Sequence, residues 1–176
     1  MEKVFGIGLS RTGTKSLAGA LSLLGYNAAH YVYRNGVLDT EAIYGDEFNA
    51  LTDTPIAFRM EELYYSFPDA KFIYTDRDMD SWKRSVTTHF KCSSPDQIAK
   101  TSDTLLNAII QNLYWNYNTW EGACEAHSHR VERLFRHSGN RLLKLEISDS
   151  NKWEKLCSFL DKPIPTSSYP HFNRVY

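Results

Sequence analysis

The chain has 176 residues, with 20 Lys and Arg against 21 Asp and Glu and a formal charge of −1. Such a length suits a single domain over 1–176 with a sizeable core, and the charge balance speaks against a nucleic-acid binder, which needs an excess of positive charge. Hydrophobic residues at 42% and charged residues at 23% exclude a chain disordered throughout, and no apolar run approaches the roughly 18 to 20 residues of a membrane span.

Lys3-Val4-Phe5-Gly6-Ile7-Gly8 reads as a short buried strand whose glycines allow close approach to the backbone. No separate basic, apolar and cleavage regions of a signal peptide precede it. Cys92, Cys124 and Cys157 show neither a CxxC pair nor zinc-like spacing. Together these lead to the expectation of a cytoplasmic protein with reduced thiols.

The polar turn Leu9-Ser10-Arg11-Thr12-Gly13-Thr14-Lys15-Ser16 follows, and Leu17, Ala20, Leu21 and Leu24 then recur at helical spacing up to a stop at Gly25. Strand, glycine-containing turn and helix open a βαβ unit. A second short strand is expected within 27–32. Asp39 to Tyr44 reads as one or two helical turns, and Asp53-Thr54-Pro55 as the entry to a helix carrying Ile56, Met60 and Leu63. Lys71 to Thr75 is the strongest strand pattern. It runs into Asp76-Arg77-Asp78 and a helix through Trp82, Ser85, Val86 and His89, with Trp82 and Val86 inward at i, i+4. Helical segments are expected over 95–137 with a break near Gly122, a last parallel strand over 141–146, and a final helix on Trp153, Leu156, Cys157 and Leu160 before Pro163 and Pro165. The fold class that follows is α/β: a three-layer αβα sandwich of P-loop type around a central parallel sheet. Both polar clusters follow strands, so both fall on the C-terminal edge of the sheet, where such folds bind ligands.

Gly8 to Ser16 nearly fits GxxxxGK[ST], but Thr14 pushes the lysine and hydroxyl one place late. A plain ATPase or GTPase reading is weakened, because the tight loop sets those positions. The anion-binding physics survives: backbone N–H groups of residues 12–16 at a helix start, hydroxyls from Thr14 and Ser16, and charge from Arg11 and Lys15. A capped helix after a glycine turn is the plain structural alternative. In the second cluster Arg77 and Ser85, eight residues apart, suit a second phosphate. Arg77 can equally pair with Asp80.

These clusters make the chain resemble the P-loop sulfotransferases that use 3′-phosphoadenosine 5′-phosphosulfate. The resemblance rests on Arg11-Thr12-Gly13-Thr14-Lys15-Ser16, on Arg77 with Ser85, on Phe67 to Ile73, on His127 before Val131, on Trp153 to Leu160 and on the tail Tyr169-Pro170-His171-Phe172-Asn173. Segment 33–52 is short against that family, and Asp76 is an unusual neighbour for Arg77. The resemblance implies that Arg11, Thr12, Gly13, Thr14, Lys15 and Ser16 bind the 5′-phosphosulfate and that Arg77 and Ser85 bind the 3′-phosphate; Lys162 and Arg174 are further cations that either help bind the 3′-phosphate or stay solvated. It implies a small-molecule hydroxyl or amine acceptor, 3′-phosphoadenosine 5′-phosphate as product and no required metal.

Arg11 stands at the family's catalytic cation. Its guanidinium stays charged, so it suits electrostatic stabilisation of the leaving oxygen and not proton donation. His30, near the end of the second strand, is the first choice of general base. Asp53 is the rival, though it also reads as an N-cap, and Glu61 comes third. His127 braces the site or touches substrate, or is equally a satisfied structural histidine. His89 reads as an ordinary surface or packing residue. The aromatic helix at 114–120 and the region 153–173 are candidate adenine walls. An ATP-dependent small-molecule kinase and a non-catalytic nucleotide-binding protein are the competing readings.

Overall fold

The structure, a computed structural model, describes residues 2–34 and 37–172; the expected cation Arg174 lies outside them. The elements run β1 (Val4–Gly6), α1 (Thr14–Leu23), β2 (Ala28–His30), β3 (Tyr33–Arg34), β4 (Val37–Leu38), α2 (Thr40–Tyr44), β5 (Ala50–Thr52), α3 (Thr54–Phe58), α4 (Met60–Ser66), β6 (Lys71–Asp76), α5 (Met79–Phe90), α6 (Thr104–Ile110), α7 (Trp120–Phe135), β7 (Leu142–Glu146) and α8 (Lys152–Leu160). Five strands form one parallel sheet in the order β2-β5-β1-β6-β7, and β3 pairs antiparallel with β4 beside it.

Alternate residues of each strand point to opposite faces, and the two faces carry separate cores. On one, Phe5, Leu51, Phe72 and Tyr74 meet Ile56, Met60 and Leu63 of α3 and α4 and Val131 and Phe135 of α7. On the other, Val4, Ala50, Ile73 and Leu145 meet Leu17, Ala20 and Leu21 of α1 and Trp153, Leu156 and Leu160 of α8. This is the αβα sandwich expected from the alternation of strands and helical patterns. A third cluster, with Leu9, Trp82, Val86, Ile109, Tyr114 and Trp120, joins the β1–α1 loop to α5, α6 and α7.

Helix α1 forms as its spacing dictates, with Leu17, Ala20 and Leu21 fully buried. It ends where Gly25 takes φ 87° and the Tyr26 N–H donates to Leu21 O at 3.1 Å, a left-handed terminus that glycine adopts without strain. The chain crosses from β1 through α1 to β2, returns to β5 beside β1, then passes to β6 on the other side of β1. The loops after β1 and β6 thus open a crevice at the carboxyl ends of neighbouring strands.

Two local expectations change. Gly122 breaks no helix. It lies in the first turn of α7, where its N–H donates to the Thr119 hydroxyl at 3.1 Å, and the interruption falls on residues 116–119. Segment 33–52, difficult to read in sequence, contains β5, a fully buried strand between β2 and β1.

Candidate functional site

The β1–α1 loop is shaped from both sides. A Cβ on Gly8 would lie 1.9 Å from Thr75 Oγ1 and 2.5 Å from Thr75 O, so only glycine lets this loop lie against the end of β6. Gly13 has φ 96° and caps α1. Thr12 is buried: its hydroxyl donates to Leu9 O at 2.7 Å and contacts Thr75 Oγ1 at 2.7 Å. The Ser10 N–H donates to Tyr114 Oη at 3.1 Å, and the Trp82 indole donates to Ser10 O at 2.9 Å. Tyr114 and Trp120 are thereby committed to the interior, each at most 1% exposed, and form no adenine wall. Trp153 belongs to the α8 core and donates to Ser167 O at 2.8 Å.

The first intrahelical bond of α1 runs from Leu17 N–H to Gly13 O at 2.9 Å. The N–H groups of residues 13–16 precede it and have no backbone acceptor among the described residues, which leaves them for a ligand. They border a polar cavity of about 180 Å³, lined by Arg11, Gly13, Thr14, Lys15, Ser16, His30, Asp53 and Arg77, together with Ser10, His89, Ile147 and Phe172. Among the described residues Arg11, Lys15 and Arg77 take part in no ion pair with a carboxylate.

The second polar cluster folds onto the first. The Arg77 guanidinium donates from Nε to Ser81 Oγ at 2.8 Å and from Nη1 to Arg11 O at 3.3 Å, and is not paired with Asp80. Asp76 turns away from the cavity: its Oδ2 lies 2.8 Å from Lys144 Nζ, and its Oδ1 accepts the Arg77 N–H at 2.8 Å. Burial, then the adjacent Arg11 and Arg84, push the Arg77 guanidinium below its ordinary pKa. Concentrated positive charge of this kind is relieved by a bound anion. Ser85 is buried and accepts from Arg11 Nε at 3.1 Å; its hydroxyl faces Arg11 and not the cavity. Arg11 itself has φ 71°, a left-handed conformation that a side chain other than glycine's adopts at a cost of about 1–3 kcal/mol. Lys162 lies over the Tyr26 ring instead, 5.4 Å from its centroid.

His30 and Asp53 meet at the cavity edge. His30 Nε2 lies 3.3 Å from Asp53 Oδ2, and its Nδ1 lies 3.1 Å from Thr52 Oγ1. Asp53 Oδ1 also accepts from the Thr14 and Thr54 hydroxyls at 3.4 and 3.3 Å. Asp53 precedes α3 but makes no side-chain cap bond, and its φ is 91°; the strained turn aims the carboxylate at His30 and α1. Glu61 takes no part here, since Arg130 holds it with Nε–Oε1 and Nη2–Oε2 distances of 3.1 and 2.8 Å.

A second, larger cavity of about 620 Å³ opens beside the first. It shares Ser10, His30, Asp53 and His89 with it and is otherwise lined largely by Tyr31, Phe90, Ile98, Ala99, Leu106 and Ile110. Sequence reasoning missed His89. The signal that bears on it is the i, i+4 spacing from Ser85, which puts both on one side of α5.

His127 is a brace. It is 2% exposed and its Nε2–H donates to Ile7 O at 2.7 Å, while Nδ1 has no partner among the described residues. Burial, set against the Ile7 hydrogen bond, pushes its pKa down from 6.5 to about 4. The unfolded chain therefore binds the extra proton first as pH falls. Stability from this residue is fully present above about 6.5 and is lost progressively down to about 4, by about 3 kcal/mol in all. Urea unfolding at graded pH should show this decline, and His127→Gln should flatten it; an unchanged slope would mean that His127 is not buried neutral.

Among the described residues no three His, Cys, Asp or Glu side chains gather as a metal site, and no helix is long and apolar enough to cross a membrane. A family model described as a sulfotransferase domain matches residues 3–175. The chain is also similar to Ava biosynthesis cluster protein M of Aspergillus versicolor, at 28% identity over 96% of this chain and 80% of that protein. With a match that spans nearly its whole length, over a parallel αβα scaffold that gathers cations at a helix start, the chain belongs to the sulfotransferase domain family.

Proposed function

We propose that the chain transfers a sulfo group from 3′-phosphoadenosine 5′-phosphosulfate to a hydroxyl or amine of a small, largely apolar acceptor. The observation that carries this reading is the junction of two unlike cavities. One is polar and bordered by Arg11, Lys15, Arg77 and the free N–H groups of residues 13–16; the other is apolar and large enough for a compact organic molecule. Membership of the sulfotransferase family supports the reaction type, and a relative named for a biosynthesis cluster is in keeping with a transfer function in general.

In this reading Gly13 to Ser16 hold the 5′-phosphosulfate through backbone N–H groups and the Thr14 and Ser16 hydroxyls. Arg77 takes the 3′-phosphate. Ser85 contributes by fixing the Arg11 side chain, which it contacts at 3.1 Å. As the sulfur–oxygen bond breaks, negative charge grows on the bridging phosphate oxygen, and Arg11 stabilises it there. Positioning and fixed charge supply most of the rate, as in phosphoryl transfer.

Calorimetric titration tests the reading. The chain should bind 3′-phosphoadenosine 5′-phosphate without magnesium and more tightly than it binds ATP with magnesium. The opposite preference would favour a kinase and overturn the proposal, since Lys15 is one place late for a nucleoside-triphosphate loop.

A further inference from the structure

The junction between the cavities holds three groups able to take a proton: His30, Asp53 and His89. Their hydrogen bonds distinguish them. With Nε2 facing the Asp53 carboxylate at 3.3 Å and Nδ1 facing the Thr52 hydroxyl at 3.1 Å, both ring nitrogens of His30 are taken up. The Thr52 hydroxyl itself donates to Thr14 O at 3.2 Å, so its oxygen accepts from Nδ1–H, and Nε2 is turned to the Asp53 carboxylate. Neither nitrogen of His30 is directed at an acceptor molecule. Asp53 already faces His30, Thr14 and Thr54.

His89 is different. It lines both cavities, it is exposed, and among the described residues neither ring nitrogen has a hydrogen-bond partner. Its ring sits edge-on to Phe90, centroids 4.7 Å apart, on the wall of the apolar cavity. It is one helical turn beyond Ser85, so the element that anchors Arg11 through Ser85 also delivers this imidazole to the acceptor side. Resting on the sulfuryl-transfer reading above, we infer that His89 is the general base that accepts the proton of the acceptor hydroxyl.

The charged and titratable groups around it are Arg11 from the β1–α1 loop, Asp53 from the head of α3, and His30 and Tyr31 from the end of β2. Partial desolvation of the ring against the cavity wall and then Arg11 hold the His89 pKa below its ordinary value, with Asp53 pulling the other way, so the ring is neutral near pH 7. In the step, a lone pair of the acceptor oxygen forms the new bond to sulfur. The bond from sulfur to the bridging phosphate oxygen breaks, its electron pair stays on that oxygen, and the acceptor's proton passes to a His89 nitrogen. The resulting imidazolium releases the proton to solvent. His30, bonded to Asp53 and Thr52, is then a positioning residue that orders the cavity edge.

The test uses the whole chain, the phosphosulfate donor, and water as acceptor, since water is small enough for either cavity. His89→Asn should slow donor hydrolysis by about 100-fold or more at neutral pH and erase the low-pH limb of the rate profile. Its affinity for 3′-phosphoadenosine 5′-phosphate should stay within about twofold of the parent's. His30→Asn should keep that limb. A limb that persists in His89→Asn, or vanishes in His30→Asn alone, overturns the assignment. Nitrogen-15 spectra of the imidazoles decide independently of rate. His89 should show nitrogens without hydrogen bonds and His30 two bonded ones; a free basic nitrogen on His30 overturns it as well. Failure of the parent chain to bind the bisphosphate is a separate result, which removes the sulfuryl-transfer reading itself.

Discussion

Replacing Arg11 with Ala is expected to cut turnover of the phosphosulfate donor by about 100- to 1,000-fold, the usual cost of removing one fixed group that stabilises developing charge. Binding of 3′-phosphoadenosine 5′-phosphate should weaken far less, by about tenfold or under, because only interactions that strengthen in the transition state act on turnover. The reason lies in how rigidly the guanidinium is aimed. The backbone of Arg11 is left-handed at φ 71°, its carbonyl accepts from Arg77 at 3.3 Å, and its Nε donates to the buried Ser85 at 3.1 Å. A side chain held this way needs no reorganisation as the leaving oxygen gains charge. Single-turnover measurement beside equilibrium titration separates the two quantities. Equal losses in both would make Arg11 a ground-state anchor and end its transition-state role.

Replacing Arg77 with Ala should weaken the bisphosphate nucleotide by about 30- to 100-fold, as expected for a charged hydrogen-bond partner in a partly buried site. Affinity for adenosine 5′-phosphosulfate, which lacks the 3′-phosphate, should change little. The structure makes this comparison necessary, because Arg77 has two separate attachments. Its Nη1 helps fix the loop through Arg11 O, and its Nε is tied to Ser81 Oγ, while the residue also lines the polar cavity. Equal weakening of both nucleotides would show that Arg77 serves only to order the Gly13 turn. The Asp76 carboxylate is no obstacle to an anion here, since Lys144 holds it at 2.8 Å.

Where the sequence was legible, the causes were local. Strand β1, the glycine turn and α1 follow from an apolar run, a glycine at φ 96° and leucines at helical spacing. The inward pair Trp82 and Val86 follows from i, i+4 periodicity, and both are buried. Strand β5 was not legible. Its three residues, Ala50 to Thr52, carry no pattern of their own and are strand because β1 and β2 lie on either side. Gly122 misled because glycine marks helix breaks in general, whereas here the Thr119 cap places it inside the first turn of α7. The aromatic set near 114–120 gave no sign that Tyr114 would anchor Ser10 from 104 residues away.

By itself, then, the amino-acid order determined the parallel αβα scaffold, the glycine turn after β1 and the place of Arg77 on the same sheet edge, since backbone conformation and periodicity depend on neighbouring residues. The tertiary structure alone decided which side chains at that edge are still available for chemistry. Whether an imidazole has an unoccupied nitrogen depends on groups distant in the chain. Thr52 and Asp53 close around His30 from more than 20 residues away, Arg130 removes Glu61, Ile7 claims His127, and among the described residues His89 is left with its nitrogens unpartnered.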